Sequence, residues 1–250
     1  MTAAVARRLR QLVALAQVLA VPGAPRALRT WKPFSITSFR ITHALHARGL
    51  RFRTVVDGGA NAGQFARAAA ETWPGARVVS FEPLPDVAAR YRAHLGGRAR
   101  LVEAALGPDA GTLAFHRTPY SLASSALAPT DGPSEEVAVP VVRLDDALAN
   151  EPLERPLLLK LDLQGFELEA LRGGRATLAR ADAVLLETAF VPGYAGEPLF
   201  RDVLAFMEDA GFRFAAPLDV LDLDGQITQM DALFLPFEDV AGGHPAASGA

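Results

Sequence analysis

Short aliphatic runs alternate along the chain with longer segments of helical spacing, and several of the apolar runs stop at an acid. Thr54–Val56 runs into Asp57, Arg77–Phe81 into Glu82, Leu157–Leu161 into Asp162, and Ala183–Leu186 into Glu187. Between them, Gln64 to Thr72, Pro85 to Leu95, Phe166 to Leu171 and Leu199 to Ala210 read as helices, the last two stopped by Gly173-Gly174 and Gly211. Leu157–Leu161 has no polar face to spare, as expected of a central parallel strand covered on both sides. Ala99–Leu106 reads as a third strand closed by Gly107. Two short runs, Gly111–His116 and Glu136–Val142, flank a polar loop long enough to be functional or mobile. Phe212–Ala216 and Gln229–Leu235 are predicted as the last strands, with a hairpin at Asp224-Gly225.

The ends differ from this alternation. Residues 3–21 have helical propensity, a basic start at Arg7, Arg8 and Arg10, and an apolar run that ends at Pro22. Gln11 and Gln17 interrupt it, short of the roughly 20 apolar residues of a transmembrane span. A helix packed on the domain or on a second subunit is the preferred reading; an interfacial membrane helix and a loose extension stay open. Pro22 to Pro33 reads as a linker and Ser35 to Leu50 as a helix leading into the first strand. The expected organisation is an N-terminal helical extension over 1–50, one α/β domain over 51–237 and a flexible tail over 238–250.

The chain has 250 residues, enough for one such domain with a full core. Net charge is −3, so composition announces no nucleic-acid surface. The absence of cysteine excludes disulfides, thiolate nucleophiles and cysteine-based metal sites, and together with the fold it points to the cytoplasm.

The chemistry is concentrated at the carboxyl ends of the strands. In TVVDGGANAGQF (54–65) a strand, a glycine-rich turn and a helix follow one another. Gly58, Gly59 and Gly63 permit positive φ and close approach of a ligand to the backbone. Asp57 adds a charge that repels a pyrophosphate and attracts an ammonium or sulfonium. Glu82, one strand later, stands where an acid accepts ribose hydroxyls. The spacing is neither G-x-G-x-x-G nor a phosphate loop. Glu103 and Ala104, at the third strand's end, are candidate adenine neighbours. Asp162 points into the crevice where open α/β sheets bind ligands, and Lys160, on the same face, is expected to pair with Asp162 or Glu187. Ser121, Ser124 and Ser125 are candidate acceptor contacts, and His116 a candidate base.

Taken together, VVDGGANAGQFA, SFEPLPD, SLASSAL, VPVVRLDD, LLLKLDLQGFELEALRGG, ETAFVPGYAGEPLF and QMDALFL make the chain resemble the FkbM family of S-adenosylmethionine-dependent methyltransferases over roughly Thr54 to Leu235. The resemblance implies a Rossmann-like methyltransferase fold: a mostly parallel seven-stranded sheet, helices on both faces and one antiparallel strand. It implies methylation of a hydroxyl on a sugar, glycan or glycosylated small molecule. Asp57, Gly59, Asn61 and Gly63 then belong to the methionine end of S-adenosylmethionine, Glu82 to its ribose, and Asp162, followed by Glu187 and His116, to the base. Gln164 stands where many members have Glu, which counts against a base or metal role there. Asp162, Glu187 and a loop oxygen could hold a divalent ion through hard ligands. Methylation of RNA and a catalytically inactive binding protein are the rival readings.

Overall fold

The computed structural model describes residues 24–30, 35–223 and 225–237, together with the single positions 13, 16, 19 and 20. The expectations for the first helix, residues 3–21, and for the tail after 237 fall almost entirely outside the described residues.

The chain runs α1 (Ala24–Thr30), α2 (Ile36–Ala47), β1 (Thr54–Gly58), α3 (Gln64–Thr72), β2 (Arg77–Phe81), α4 (Pro85–Leu95), β3 (Arg100–Val102), β4 (Ala105–Leu106), β5 (Gly111–Arg117) and β6 (Glu135–Val142). It continues through α5 (Leu144–Leu148), β7 (Leu157–Leu161), α6 (Glu167–Arg172), α7 (Arg175–Leu178), β8 (Ala183–Ala189), α8 (Phe200–Asp209), β9 (Phe212–Leu223) and β10 (Gln226–Pro236). Seven strands form the main sheet in the order β3-β2-β1-β7-β8-β10-β9. All neighbours pair parallel except β10, which runs antiparallel to both β8 and β9. The expected α/β fold with one reversed strand is therefore present.

Alternation along the strands assigns the two faces. Val55, Val78 and Leu158 point to one side, where Ile41 and Leu45 of α2, Phe65 and Ala69 of α3 and Tyr91 of α4 pack on them. Val56, Val79 and Leu159 point to the other and meet Leu144, Leu171, Val203 and Met207. Each such buried side chain stabilises the fold by roughly 1.5–3 kcal/mol. The central strands β1 and β7 are buried along their whole length.

Three details differ from the sequence reading. The linker expected over 22–33 contains α1, whose Pro25 sits in the first turn where a missing N–H costs nothing. The predicted third strand breaks at Glu103-Ala104: Arg100–Val102 pairs with β2, while Ala105–Leu106 joins a second sheet of order β4-β6-β5. The closing strands are longer than expected, forming one ribbon that turns at Gly225, φ 86°.

Candidate active site

The three central strands carry a row of polar side chains on adjacent register positions: Ser80, Asp57 and Lys160. The Tyr91 hydroxyl donates to Ser80 Oγ at 2.8 Å, and Lys160 Nζ lies 3.0 Å from Asp57 Oδ1. Lys160 also lies 3.6 Å from Asp162 Oδ2 and donates to the carbonyls of Gly58 and Gly59, 3.3 Å each. Burial works against the Lys160 charge, but Asp57 and Asp162 outweigh it and raise its pKa. The expected partner Asp162 is thus shared with Asp57, and Glu187 is not a partner of Lys160.

The turn after β1 is bound to β2. Gly59 and Ala60 N–H donate to Phe81 O, and Asn61 N–H donates to Glu82 Oε2 at 3.0 Å. Glu82 Oε1 accepts from Leu84 N at 2.9 Å. Burial pushes the Glu82 carboxyl up to about 7 against these two amides. Asn61 takes a left-handed φ of 47° and donates from Nδ2 to Ser121 Oγ at 3.1 Å, tying the turn to the serine loop.

Two adjoining spaces open here. A narrow slot is walled by Phe81, Leu84, Ala104, Leu106, Phe115 and Phe166, with the Glu82 carboxyl on its polar side. A groove of about 1260 Å³ continues from it and contains Lys160, Glu187, Tyr194 and Asp231. Gly59, Asn61, Ser121, Asp162 and Gln164 line both and so mark the junction.

At the junction Gln164, at φ 56°, extends its amide between two carboxyl groups. Nε2 donates to Asp162 Oδ1 at 2.8 Å and to Glu187 Oε2, while Oε1 accepts from the Tyr194 hydroxyl at 2.7 Å. Burial and then the neighbouring Asp162 raise the Glu187 pKa well above the ordinary carboxyl range. Burial likewise pushes Asp231 up to about 7, with Asp162 adding to it, and Glu167 up to about 8. Among the described residues no cluster of three or more His, Cys, Asp or Glu is arranged to hold a metal ion. Asp162 and Glu187, considered in the sequence as holders of a divalent ion, both accept from the Gln164 amide here.

Of the residues singled out in the sequence, Gly59, Asn61, Glu82, Ala104, Ser121, Ser124, Lys160, Asp162, Gln164 and Glu187 face the slot or the groove. Asp57, Gly63, Glu103, His116 and Ser125 do not. Asp57 is wholly buried under the turn on Lys160. Gly63 packs so closely on α4 that a Cβ would come within 2.4 Å of Leu95. Glu103, where the chain leaves the main sheet, pairs with Arg92 on the outside. His116 is held by backbone pairing to Ser125. Ser125 Oγ is used up in donating to Gln164 O at 2.8 Å and accepting from Leu127 N at 2.9 Å, so it staples the loop to the junction. Tyr194 and Asp231 were missed. The signal for Asp231 is its antiparallel register with Glu187, which requires strand pairing to be known.

The FkbM methyltransferase domain matches residues 57–214. The chain is 30% identical over 167 residues to the 2-O-methyltransferase NoeI of Sinorhizobium fredii, covering 60% of this chain and 69% of that protein. It is 29% identical over 211 residues to the 31-O-demethyl-FK506 methyltransferase FkbM of Streptomyces tacrolimicus, covering 71% and 79%. Among solved structures, a Pyrococcus horikoshii protein assigned to RNA methylation superposes over 92% of this chain and 97% of its own with TM-score 0.50 at 12% identity, a likeness of fold alone. With the glycine turn, the carboxylate-bearing slot and this domain match in agreement, the chain belongs to the FkbM family of S-adenosylmethionine-dependent methyltransferases.

Proposed function

We propose that the protein methylates a hydroxyl group of a sugar, glycan or glycosylated small molecule. The observation that carries this reading is the continuity of the slot, with its single buried carboxyl, into a groove where Asp162 and Glu187 stand side by side. The residues fit the cofactor. The apolar walls suit an adenine, Glu82 retains lone pairs for ribose hydroxyls beyond those used by Asn61 and Leu84, and the acids at the junction suit a cation. When bound, S-adenosylmethionine supplies an electrophilic methyl group on a sulfonium.

The protein's own task is then to hold an acceptor oxygen in line and to take its proton. Orientation of two reactants removes much of the barrier of such a displacement. An alcohol near neutrality also needs a base, worth roughly 10²–10⁴ in rate. Asp162 supports that role best, because it faces both spaces and its carboxyl lies 3.6 Å from the Lys160 ammonium. The names of the two relatives, both O-methyltransferases, agree with a hydroxyl acceptor.

Charge disfavours RNA as the acceptor. The groove holds Asp131, Asp162, Glu187, Asp219 and Asp231 against Arg90 and Lys160, and Lys160 is committed to Asp57. A nucleic-acid track needs a cationic surface. No described helix is long and apolar enough to cross a membrane.

The test is transfer of a labelled methyl group from S-adenosylmethionine to a panel of glycosides, glycolipids and RNA. Label in a glycoside or glycolipid hydroxyl is the expected result. Label in RNA alone would overturn the acceptor class, and failure to bind the donor in calorimetry would overturn the donor assignment.

A further inference from the structure

We propose that Gln164 is the positioning residue of the site, a neutral spacer whose amide N–H groups hold Asp162 and Glu187 side by side toward the groove, with its own orientation fixed by the Tyr194 hydroxyl. This rests on the proposed methyl-transfer site. It goes further in naming how two carboxyl groups are kept together without a cation between them.

Two carboxylates brought to one amide repel each other, and the stable arrangements place a proton, a cation or hydrogen-bond donors between them. Here the donors are both N–H bonds of one NH₂ group, to Asp162 Oδ1 at 2.8 Å and to Glu187 Oε2. The reverse amide orientation would set Oε1 against both acids. The two acids oppose that, and Tyr194 supports the observed one by donating to Gln164 Oε1 at 2.7 Å, with Ala123 O at 3.0 Å as its other acceptor.

The spacer is itself built in from all sides. The Gln164 backbone is left-handed, its carbonyl accepts from Ser125 Oγ, and the following Gly165 has φ 94°. A Cβ at Gly165 would come within 2.9 Å of Glu197 and 3.1 Å of Leu127. Glu197 Oε2 in turn accepts from Gly193 and Tyr194 N–H, at 2.6 and 3.1 Å, and Ala195 N–H donates to Ala128 O. The segment after β8 and the serine loop are therefore fastened together where they meet Gln164. Tyr194 carries that arrangement to the carboxyl pair.

The electrostatic neighbours come from every element packed on the pair. Lys160 on β7 faces Asp162 with Asp57 of β1 behind it; Glu167 lies at the start of α6, Asp231 on β10 with Asp219 beyond it on β9, and Glu197 follows Tyr194. Lys160 is the one cation of this set, and it stands on the Asp162 side. The two members are thus unequal in one respect: each takes one amide proton and each has several acids nearby, but the ammonium stands beside Asp162. The ammonium beside it makes Asp162 the member we assign as acceptor of a substrate proton.

The test is a ¹³C NMR pH titration of the side-chain carboxyls of Asp162 and Glu187 in the full chain, as wild type, Gln164→Met and Tyr194→Phe. S-Adenosylmethionine affinity is measured in parallel by calorimetry, and the fold is checked by thermal melting. Gln164→Met keeps side-chain length and backbone demand but removes both donors, so the first ionisation of the pair is expected to move up by about one pH unit or more. Tyr194→Phe leaves Gln164 in place but frees its amide to turn, giving a shift of the same sign and smaller size. Unchanged titration of both carboxyls in Gln164→Met with an intact melt would overturn the proposal, and so would a loss of donor affinity with no titration shift. Failure of the wild type to bind the donor would overturn the methyl-transfer reading while leaving the titration arm to report on the spacer independently.

Discussion

Asp57 and Lys160, register partners on β1 and β7, form a 3.0 Å ion pair in which the aspartate side chain is fully buried and the lysine side chain only 6% exposed. The pair lies under the glycine turn, and the same ammonium donates to the carbonyls of Gly58 and Gly59. One lysine therefore joins the two strands that carry the site, fixes the backbone of the turn and reaches Asp162.

Lys160→Met is expected to destabilise the protein by about 3–5 kcal/mol, because it strands a buried carboxylate and two carbonyls. Adding Asp57→Asn to it should recover part of the loss. Urea unfolding of the two single variants and the double variant checks this; strictly additive losses would contradict the coupling.

Stability should fall as pH rises from about 5 to 8, following the shifts of Glu82 and Asp231 to about 7 and Glu167 to about 8. These acids have ordinary values of 3.8 or 4.5, so within that window the folded state holds protons that the unfolded chain has released. A raised acid stabilises fully below its unfolded value and loses that contribution as pH passes its folded value. Burial and then the neighbouring Arg51 lower His46, a single group that opposes the trend of the three acids. Urea midpoints at pH 5 and pH 8 should differ in favour of the lower pH, and Glu167→Gln should flatten the slope.

The pattern of apolar runs ending in acids made the parallel core legible, since both faces of β1 and β7 are covered and their sequences carry no polar stripe. It also marked Glu82, Asp162 and Glu187, because strand ends in such a sheet open on the crevice. It could not show which acids are already engaged by the protein. Asp57 looks as available as Glu82 in the sequence, and only the pairing of β1 with β7 commits it to Lys160. Likewise Ala99–Leu106 reads as one strand, because the pattern does not say which neighbour each half pairs with. Tyr194 stands in an irregular segment with no period, so its reach to Gln164 follows from loop contacts alone.

Gly59→Ala should damage the turn severely. Gly59 has φ 73°, and a Cβ there would lie 1.9 Å from the carbonyl oxygen of Asp162. The left-handed backbone alone costs a non-glycine residue about 1–3 kcal/mol, and the clash is with backbone that has no room to yield. Both a lower melting temperature and weaker donor binding are expected; a variant with wild-type values in both would contradict the packing described for the turn.

Asp162→Asn should separate catalysis from binding. The amide cannot take a proton from an acceptor hydroxyl, so turnover should drop by roughly 10²-fold or more, while donor affinity changes little. Steady-state kinetics with any acceptor from the methylation screen, alongside calorimetry, gives both values. Equal losses in the two would assign Asp162 to cofactor binding instead.

Glu82 makes donor binding itself depend on pH. Its carboxyl stands at about 7 in the free protein, with one oxygen held by Asn61 N–H and the other by Leu84 N–H. Hydroxyl donors bind the ionised form better than the acid, so occupancy by a ribose must draw the proton off and lower the pKa. Affinity for S-adenosylmethionine is therefore expected to rise as pH increases from 6 to 8. Calorimetry in two buffers of different ionisation enthalpy should show proton release near pH 6.5 that fades by pH 8. Glu82→Gln keeps the shape but cannot ionise, and should bind the donor more weakly with no pH dependence over this range. Glu82→Ala should bind weaker still, by about tenfold or more relative to wild type, since one charge-assisted hydrogen bond alone contributes roughly 1.5–3 kcal/mol. An affinity that is flat with pH in the wild type, or unchanged in Glu82→Ala, would remove Glu82 from the ribose position.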